Sequence, residues 1–335
     1  MNDVLLVSLG STVGLRAADD ELAQALRRAG ASVAVAEAAR QPDVRTFALT
    51  DFLWARAARS AAVAALGREP AAAVVYSTVT AALLWPVPGA IRFDAPAAAN
   101  RPGRHGVWQR PLERRRLAQT PLLLPSSHGA LAEAAGAGAA RPATALVVPV
   151  PVEPSGPPAP VRDIAAVTYG ANPHKKGLDR VLDAWARVRR PGEELVVAGV
   201  DVPAAPGVRV VGMIDRAAYR GLLRRARLYL SAPRREDYGI AQLEALADGC
   251  ALVTTIAPGP YVALELARRL DPRLVTSDLA PAIRLGLDSP RPDYAAAAAA
   301  ALHPFSRAGV DRLVAEQVLP RLLAPAPTPT GSGPT

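Results

Sequence analysis

Residues 228–255 read LYLSAPRREDYGIAQLEALADGCALVTT, and the fold turns on how this stretch is parsed. The apolar run Leu228-Tyr229-Leu230 stops at Ser231-Ala232-Pro233 and gives way to Arg234-Arg235-Glu236-Asp237, the pattern of a strand ending in a polar loop. From Gly239 onward Ile240, Leu243, Leu246 and Ala247 recur at spacings of three and four. That spacing buries one helical face, sends Gln242, Glu244 and Asp248 elsewhere, and leaves Gly249 as the C-cap. Ala251 to Thr254 reads as a second buried strand. Strand, loop, helix, strand is the repeating unit of a parallel α/β sheet, whose ligands sit at the C-terminal edge of the strands. A helix N-terminus there offers unpaired N–H groups to an anion, and phosphate is the expected guest.

Two carboxylates bracket that helix start, Glu236 in the loop and Glu244 in the second turn. An ionised glutamate accepts hydrogen bonds only, so sugar hydroxyls suit it. Two arbitrary glutamates would more often be a solvated loop charge and a surface helix residue. Here they sit in Glu236-Asp237-Tyr238-Gly239-Ile240-Ala241-Gln242-Leu243-Glu244-Ala245-Leu246-Ala247-Asp248-Gly249. This segment resembles the paired-glutamate signature of glycosyltransferase family 4, retaining enzymes of the GT-B fold, with Asp237 where a glycine is common. The resemblance implies that Glu236 lies against the donor sugar and Glu244 holds the ribose of the nucleotide. It also places Gly239, Ile240, Arg234 and Arg235 around the donor.

Gly170-Ala171-Asn172-Pro173-His174-Lys175-Lys176-Gly177 is a strand-to-helix turn that delivers an ammonium able to sit against a diphosphate. It resembles the family's Gly-Arg-x-x-x-x-Lys-Gly, so Gly170 and Lys176 match and Ala171 stands where the arginine would be. Stabilisation of the leaving diphosphate would then rest on Lys176, the helix start near Gly239, and one of Lys175, Arg234 or Arg235. Pro258-Gly259-Pro260-Tyr261 replaces a Gly-Gly loop that members often have.

The pattern upstream is of the same kind. Val4 to Leu9 is a strand, Gly10 to Gly14 a loop, Ala18 to Ala29 a helix stopped by Gly30, and Ser32 to Ala36 a strand. A dinucleotide-binding protein opens this way too, and Glu37 suits a ribose, but only Gly10 and Gly14 of the glycine fingerprint are present. In the family this loop reaches the cleft, which makes Gly10 and Gly14 candidates for the donor site. Further strands are expected at Ala73 to Ser77, Gly89 to Phe93, Leu122 to Pro125 and Leu146 to Val148. Arg92-Phe93-Asp94 falls where relatives often have His-Asp, so Asp94 is a candidate catalytic carboxylate, with an alternative role as a turn cap.

Arg101 to Arg116 (RPGRHGVWQRPLERRR) is the densest basic stretch. One reading is a weak peripheral contact with an anionic membrane or a phosphorylated lipid acceptor. The other, favoured because no wide apolar face accompanies it, is a solvated helix face with Trp108 in the core.

Pro149 to Pro160 carries prolines at a density that no sheet interior tolerates, so the chain divides there. The expected parts are a Rossmann-like acceptor domain over 1–150, a linker over 151–160, and a Rossmann-like nucleotide-sugar donor domain over 161–305. A C-terminal helix over 306–323 would return to the first lobe, and a disordered tail would span 324–335. Strict alternation of strands and helices gives two parallel sheets facing a cleft, α/β in class.

Composition narrows the function classes. Hydrophobic residues make up 50% of 335, which excludes a disordered chain. The formal charge of +9 helps capture anions of any kind, but the arginines are scattered rather than striped, which argues against nucleic acid. Cys250 stands alone, so no disulfide framework points to secretion. With no signal pattern and no membrane-length apolar run, the expected place is the cytoplasm, peripheral at most to the inner face of the membrane.

The reading that joins these features is a retaining hexosyltransferase without metal or cofactor. Its co-substrate would be a nucleotide diphosphate sugar, and its acceptor a glycan, lipid or small molecule. A nucleotide-sugar epimerase of the same fold, or a catalytically silent GT-B scaffold, are the competing readings.

Overall fold

Strands covered on both faces need apolar side chains at almost every position, and ten segments of this chain supply them. In the computed structural model they are β1 (Asn2–Ser8), β2 (Val33–Glu37), β3 (Ala71–Tyr76), β4 (Ala90–Phe93) and β5 (Leu123–Pro125), followed by β6 (Ile164–Tyr169), β7 (Leu195–Ala198), β8 (Val208–Gly212), β9 (Ala226–Ser231) and β10 (Ala251–Thr254). The structure describes residues 1–324 apart from 43, 45, 102, 139–143 and 158. Apart from Ala324, the expected tail lies outside the described residues. Two compact units result, one of residues 1–150 together with those from Val310 onward, the other Pro151–Gly309.

In the first unit five parallel strands run in the order β2-β1-β3-β4-β5. The helix Val13–Arg28 starts where the Thr12 side chain accepts from Leu15 N–H at 3.2 Å. It packs Leu22, Ala25 and Leu26 over Val4, Leu6 and Val75. On the opposite face lies the helix Phe47–Arg68. Ala55, Ala58, Ala62 and Ala65 recur along it at helical spacing, and all are buried against Leu5, Val7, Val74 and Tyr76. Small side chains let this helix approach the sheet closely, which is how an alanine-rich chain with few aromatics fills a core.

The C-terminal helix starts at Arg307, and from Val310 onward it belongs to the first unit. Val310, Val314 and Val318 complete the core formed by Leu22 and Leu26, and Arg28 grips Asp311 through two bonds of 2.7 Å. It is not a uniform α-helix. Val314–Val318 is a π turn immediately ahead of Pro320, whose missing N–H and bulky ring would otherwise disrupt the regular ladder.

The second unit has the order β10-β9-β6-β7-β8, all parallel. The helix Leu178–Val188 turns Leu178, Val181, Ala184 and Trp185 inward, and Trp185 Nε1 donates to Gly207 O at 2.9 Å. The proline-rich segment expected as a linker is itself fastened to this unit. Val152 N–H donates to Phe305 O at 2.8 Å, and Ser155 bonds the Asp248 carboxylate through backbone and hydroxyl.

Two expectations need correction. Leu146 to Val148 is not a strand, although Leu146 N–H and Val148 N–H bond Leu123 O and Pro125 O along β5. Prolines at 149 and 151 prevent the run from extending into a ladder. Gly14 is not in a loop, since the first helix already begins at Val13. No helix among the described residues is long and apolar enough to cross a membrane.

Val314 is fully buried, so Val314→Asp would place an unpaired carboxylate in the core of the first unit. The expected loss is about 3–5 kcal/mol, read by urea unfolding of the variant beside the wild type. A loss below about 1 kcal/mol would show that the C-terminal helix is dispensable to this core.

Candidate functional site

The second sheet reverses its winding between two neighbouring strands. From β6 the chain proceeds outward to β7 and β8, then returns to the other side of β6 for β9 and β10. The loops leaving β6 and β9 therefore diverge at their C-terminal ends, the place where an open α/β sheet forms its ligand crevice. Those two loops carry Lys176 and Glu236.

Backbone bonds hold this edge together. Arg234 N–H donates to Lys175 O at 2.9 Å, joining the loops after β6 and β9. Glu236 N–H donates to Pro258 O at 3.1 Å and Val262 N–H to Tyr238 O at 3.1 Å, joining the loops after β9 and β10. Two glycines make the approach possible. Gly177 has φ +63°, and a Cβ there would stand 1.9 Å from Ala232 O. Gly239, with φ +91°, would place a Cβ 2.8 Å from the Tyr261 ring. A side chain at 177 would require backbone movement, and one at 239 would have to displace the buried Tyr261 ring, with positive φ adding strain at both.

Lys176 ends a single turn, Pro173–Lys176, capped by Asn172, whose side chain accepts from Lys175 N–H at 3.1 Å. Asn172 is itself left-handed, with φ +58°. Lys176 Nζ reaches across to Glu236 Oε2 at 2.5 Å. Glu236 is 5% exposed and also accepts from Gln242 Nε2 at 3.3 Å. Behind it Gln242 donates to Ser231 Oγ at 2.9 Å, and Tyr261 OH lies 2.9 Å from Thr254 Oγ1. Burial pushes the Tyr261 phenol up to about 12, so it stays protonated at neutral pH. Gln242 Oε1, on the amide that bonds Glu236, and Thr255 Oγ1, after β10, are buried without a hydrogen-bond partner among the described residues.

Glu244 is also buried, at 8% exposure. Its Oε1 accepts from Arg216 at 2.8 Å and Arg220 at 3.4 Å, and Arg220 Nε binds Asp248 at 2.6 Å. The sequence reading sent Gln242, Glu244 and Asp248 away from the buried face, and the structure corrects it. The helix Ile240–Ala247 is enclosed on several sides, and each of these polar groups is admitted by a partner from another element. Arg216 and Arg220 were missed. They lie far upstream of Glu244, one helical turn apart on Arg216–Arg225, and only the fold brings them together.

Arg234 and Arg235 part company. Arg234 is bidentate to Asp179 at 2.9 and 2.7 Å and also binds His174 O, so it braces the two loops. Arg235 and Lys175 both grip Asp237, at 2.8 and 2.9 Å. Burial alone would raise the Asp237 carboxyl, but these two cations outweigh it and hold it below the usual range. Gly170 is buried, with its N–H given to Ala198 O at 2.8 Å. Cys250 is buried as well, its thiol pushed up to about 12, which makes it an inert packing residue.

Gly10, Gly14 and Asp94 belong to the first unit. Gly10, at φ +56°, follows β1 at its C-terminal end, and exposed Asp94 follows β4 at the same edge. Phe93 is buried in the core. Beneath that edge Asp19 is fully partnered, accepting from Ser8 Oγ at 2.6 Å and Arg92 at 2.9 Å.

The Arg101–Arg116 stretch is more structural than its charge suggests. Arg101 clamps buried Asp51 at 2.9 and 3.2 Å, and Arg116 bonds Leu83 O while lying over Trp85. Trp108 is half-buried, with its indole N–H given to Ala48 O. Glu113 is fully buried and caps Ala97 and Ala98, and burial raises its carboxyl to about 7.

With this geometry in place, the fold is that of the GT-B glycosyltransferases, two α/β lobes each with a five-stranded parallel sheet. A solved structure of WaaG, a glycosyltransferase involved in lipopolysaccharide biosynthesis, matches 96% of this chain with 100% of its own at 16% identity and a TM-score of 0.72. HepE from Anabaena, in complex with UDP and glucose, matches 95% with 99% at 15% identity and TM-score 0.73. Sucrose-phosphate synthase from Thermosynechococcus elongatus matches 95% with 96% at 15% identity and TM-score 0.69. By sequence, residues 163–283 match the family described as glycosyl transferases group 1. That segment contains Lys176, Glu236, Glu244 and all the loops described above for the second unit. No curated protein matches the chain by sequence.

Gly177→Ala should destabilise the second unit by more than about 2 kcal/mol in urea unfolding, because strain at positive φ adds to a collision with backbone. An unchanged midpoint would contradict the close approach of these loops. A second measurement concerns Glu113. Its pKa in the folded chain lies above the ordinary 4.5, so folding favours the protonated form. The contribution of Glu113 to stability, read as the difference between wild type and Glu113→Gln, should be fully present below about 4.5, fall as pH rises to about 7, and level off above that. The fall should be on the order of a few kcal/mol and absent in Glu113→Gln. A wild-type pH profile parallel to that of the variant would contradict the assignment.

Proposed function

We propose that this chain is a retaining glycosyltransferase that moves a hexosyl group from a nucleotide diphosphate sugar to an acceptor hydroxyl. One observation carries the reading. Lys176 and Glu236 meet at 2.5 Å across the loops after β6 and β9, at the winding reversal and inside the segment matched by group 1 glycosyltransferases. Departure of a nucleoside diphosphate from a cationic sugar carbon places new negative charge on phosphate and positive charge on the ring. An ammonium and a carboxylate side by side at the same edge address both. Glu236 would orient the sugar, Lys176 would take the phosphate charge without a metal, and Glu244 would hold the ribose. Unspent acceptors on Gln242 and Thr255 are suited to sugar hydroxyls. The first unit would receive the acceptor, with Asp94 and Gly10 at its strand edge.

The HepE structures were solved with UDP, with UDP and glucose, and with UDP-glucose, which makes uridine diphosphate sugars the first donors to try. A lipid-linked acceptor is favoured by one surface feature. Phe47, Phe52 and Val107 are exposed together around Trp108 and His105, with Arg56, Arg104, Arg114 and Arg115 nearby in the chain. Exposed apolar tips with the Arg56 and Arg101 guanidinium groups over the Phe52 and Phe47 rings suit weak contact with an anionic membrane. An epimerase or a silent scaffold on this fold are the competing readings, since Ala171 and Phe93 stand where the pattern that the sequence resembles has arginine and histidine.

Thermal unfolding with UDP, GDP, ADP and dTDP and their sugars, on wild type and Glu244→Ala, tests the assignment. A nucleotide at a hundred times its dissociation constant should add roughly 2.7 kcal/mol, a shift of a few degrees, and Glu244→Ala should remove it. No shift with any nucleotide contradicts the donor site. Nucleotide release that requires donor and acceptor together separates a transferase from an epimerase or a silent protein.

A further inference from the structure

Ala171 leaves the donor site one cation short of the arrangement its sequence resembles, and the structure offers three cations within reach of the same edge. Arg234 is committed to Asp179 and the His174 carbonyl. Lys175 and Arg235 are arranged differently. Both bind the single carboxylate of Asp237, one on each oxygen, so Asp237 spans the loops after β6 and β9 as the Lys176–Glu236 pair does. The two bridges are made by consecutive residues on both loops, 175 and 176 against 237 and 236. Lys175 is 42% exposed and Arg235 21%, against 30% for Arg234, while the Asp237 carboxylate that holds both is only 12% exposed.

Across Lys175, Lys176, Arg235, Glu236 and Asp237 there are three cations and two carboxylates, so the edge keeps one surplus positive charge. The carboxylate at 237, where a glycine is common in the resembling pattern, thus brings a cation with it.

We propose that Asp237 holds Lys175 and Arg235 as a second cationic arm of the donor site, which binds the diphosphate in place of the cation that Ala171 cannot supply. The proposal rests on the donor-site reading above. In it Asp237 is a positioning residue, and Lys175 and Arg235 are the groups that meet phosphate. A diphosphate spanning both bridges would then be held by Lys176 on one side and by the Lys175–Arg235 pair on the other.

The test is calorimetric titration of UDP, GDP, ADP and dTDP, and of the corresponding monophosphates, into wild type, Lys175→Ala, Arg235→Ala, the double variant and Glu244→Ala. For the diphosphate that binds the wild type, each single variant should lose about tenfold in affinity and the double variant more, while the monophosphate loses less. Lys175→Arg should retain binding, and Ala171→Arg should restore it in the Lys175→Ala background, a rescue that general loss of folding would not give. An unchanged diphosphate-to-monophosphate ratio in the double variant overturns the proposal. If Glu244→Ala abolishes binding while that ratio holds, the donor site stands and only the second arm fails. If no nucleotide binds the wild type, the donor reading fails and takes this proposal with it.

Discussion

The crossing from β6 to β9 is the constraint on which the second unit depends. Because the chain reverses direction across the sheet at that pair of strands, two loops diverge there, and their charged ends are tied to each other at the sheet edge. Lys176–Glu236 and Lys175–Asp237 do this electrostatically, Arg234 N–H to Lys175 O does it through the backbone, and Gly177 lets the first loop lie on Ala232 O. An exposed ion pair contributes little to stability, and a buried carboxylate costs solvation. Several such groups at one sheet edge add little to the stability of the fold, and the proposed donor site gives them a role.

The same unit shows how polar groups enter a core. Glu244 and Asp248 lie on the helix Ile240–Ala247 and its cap, and Arg220 binds both while its own terminal nitrogen donates to Glu153 O. Asp248 in turn accepts from Ser155 just after the domain join. A chain of bonds therefore runs from the start of the second unit to the residue proposed to hold ribose.

Much of this was legible in the sequence because the signals are local. Alternation of apolar runs with helical spacing gives the parallel sheets, the glycines at 177 and 239 mark turns, and the spacing of Glu236 and Glu244 places both near one helix start. What was not legible depends on pairing between distant segments. Nothing near Gln242 predicts that it will be buried against Ser231, and nothing near Glu244 announces Arg216. The long helix Phe47–Arg68 gives little periodic signal, because four of its five buried residues are alanines set in an alanine-rich background. Leu146 to Val148 misled because strand-like residues lie beside β5 without forming a ladder.

The most direct test of the central claim is hydrogen–deuterium exchange of the whole chain with and without UDP-glucose, followed by the GDP, ADP and dTDP sugars. If the edge at β6 and β9 is a nucleotide-sugar site, one donor should slow exchange in residues 170–177 and 232–244 together, since both loops must close on the same ligand. No protection in those loops with any donor, or protection confined to the first unit, would contradict it.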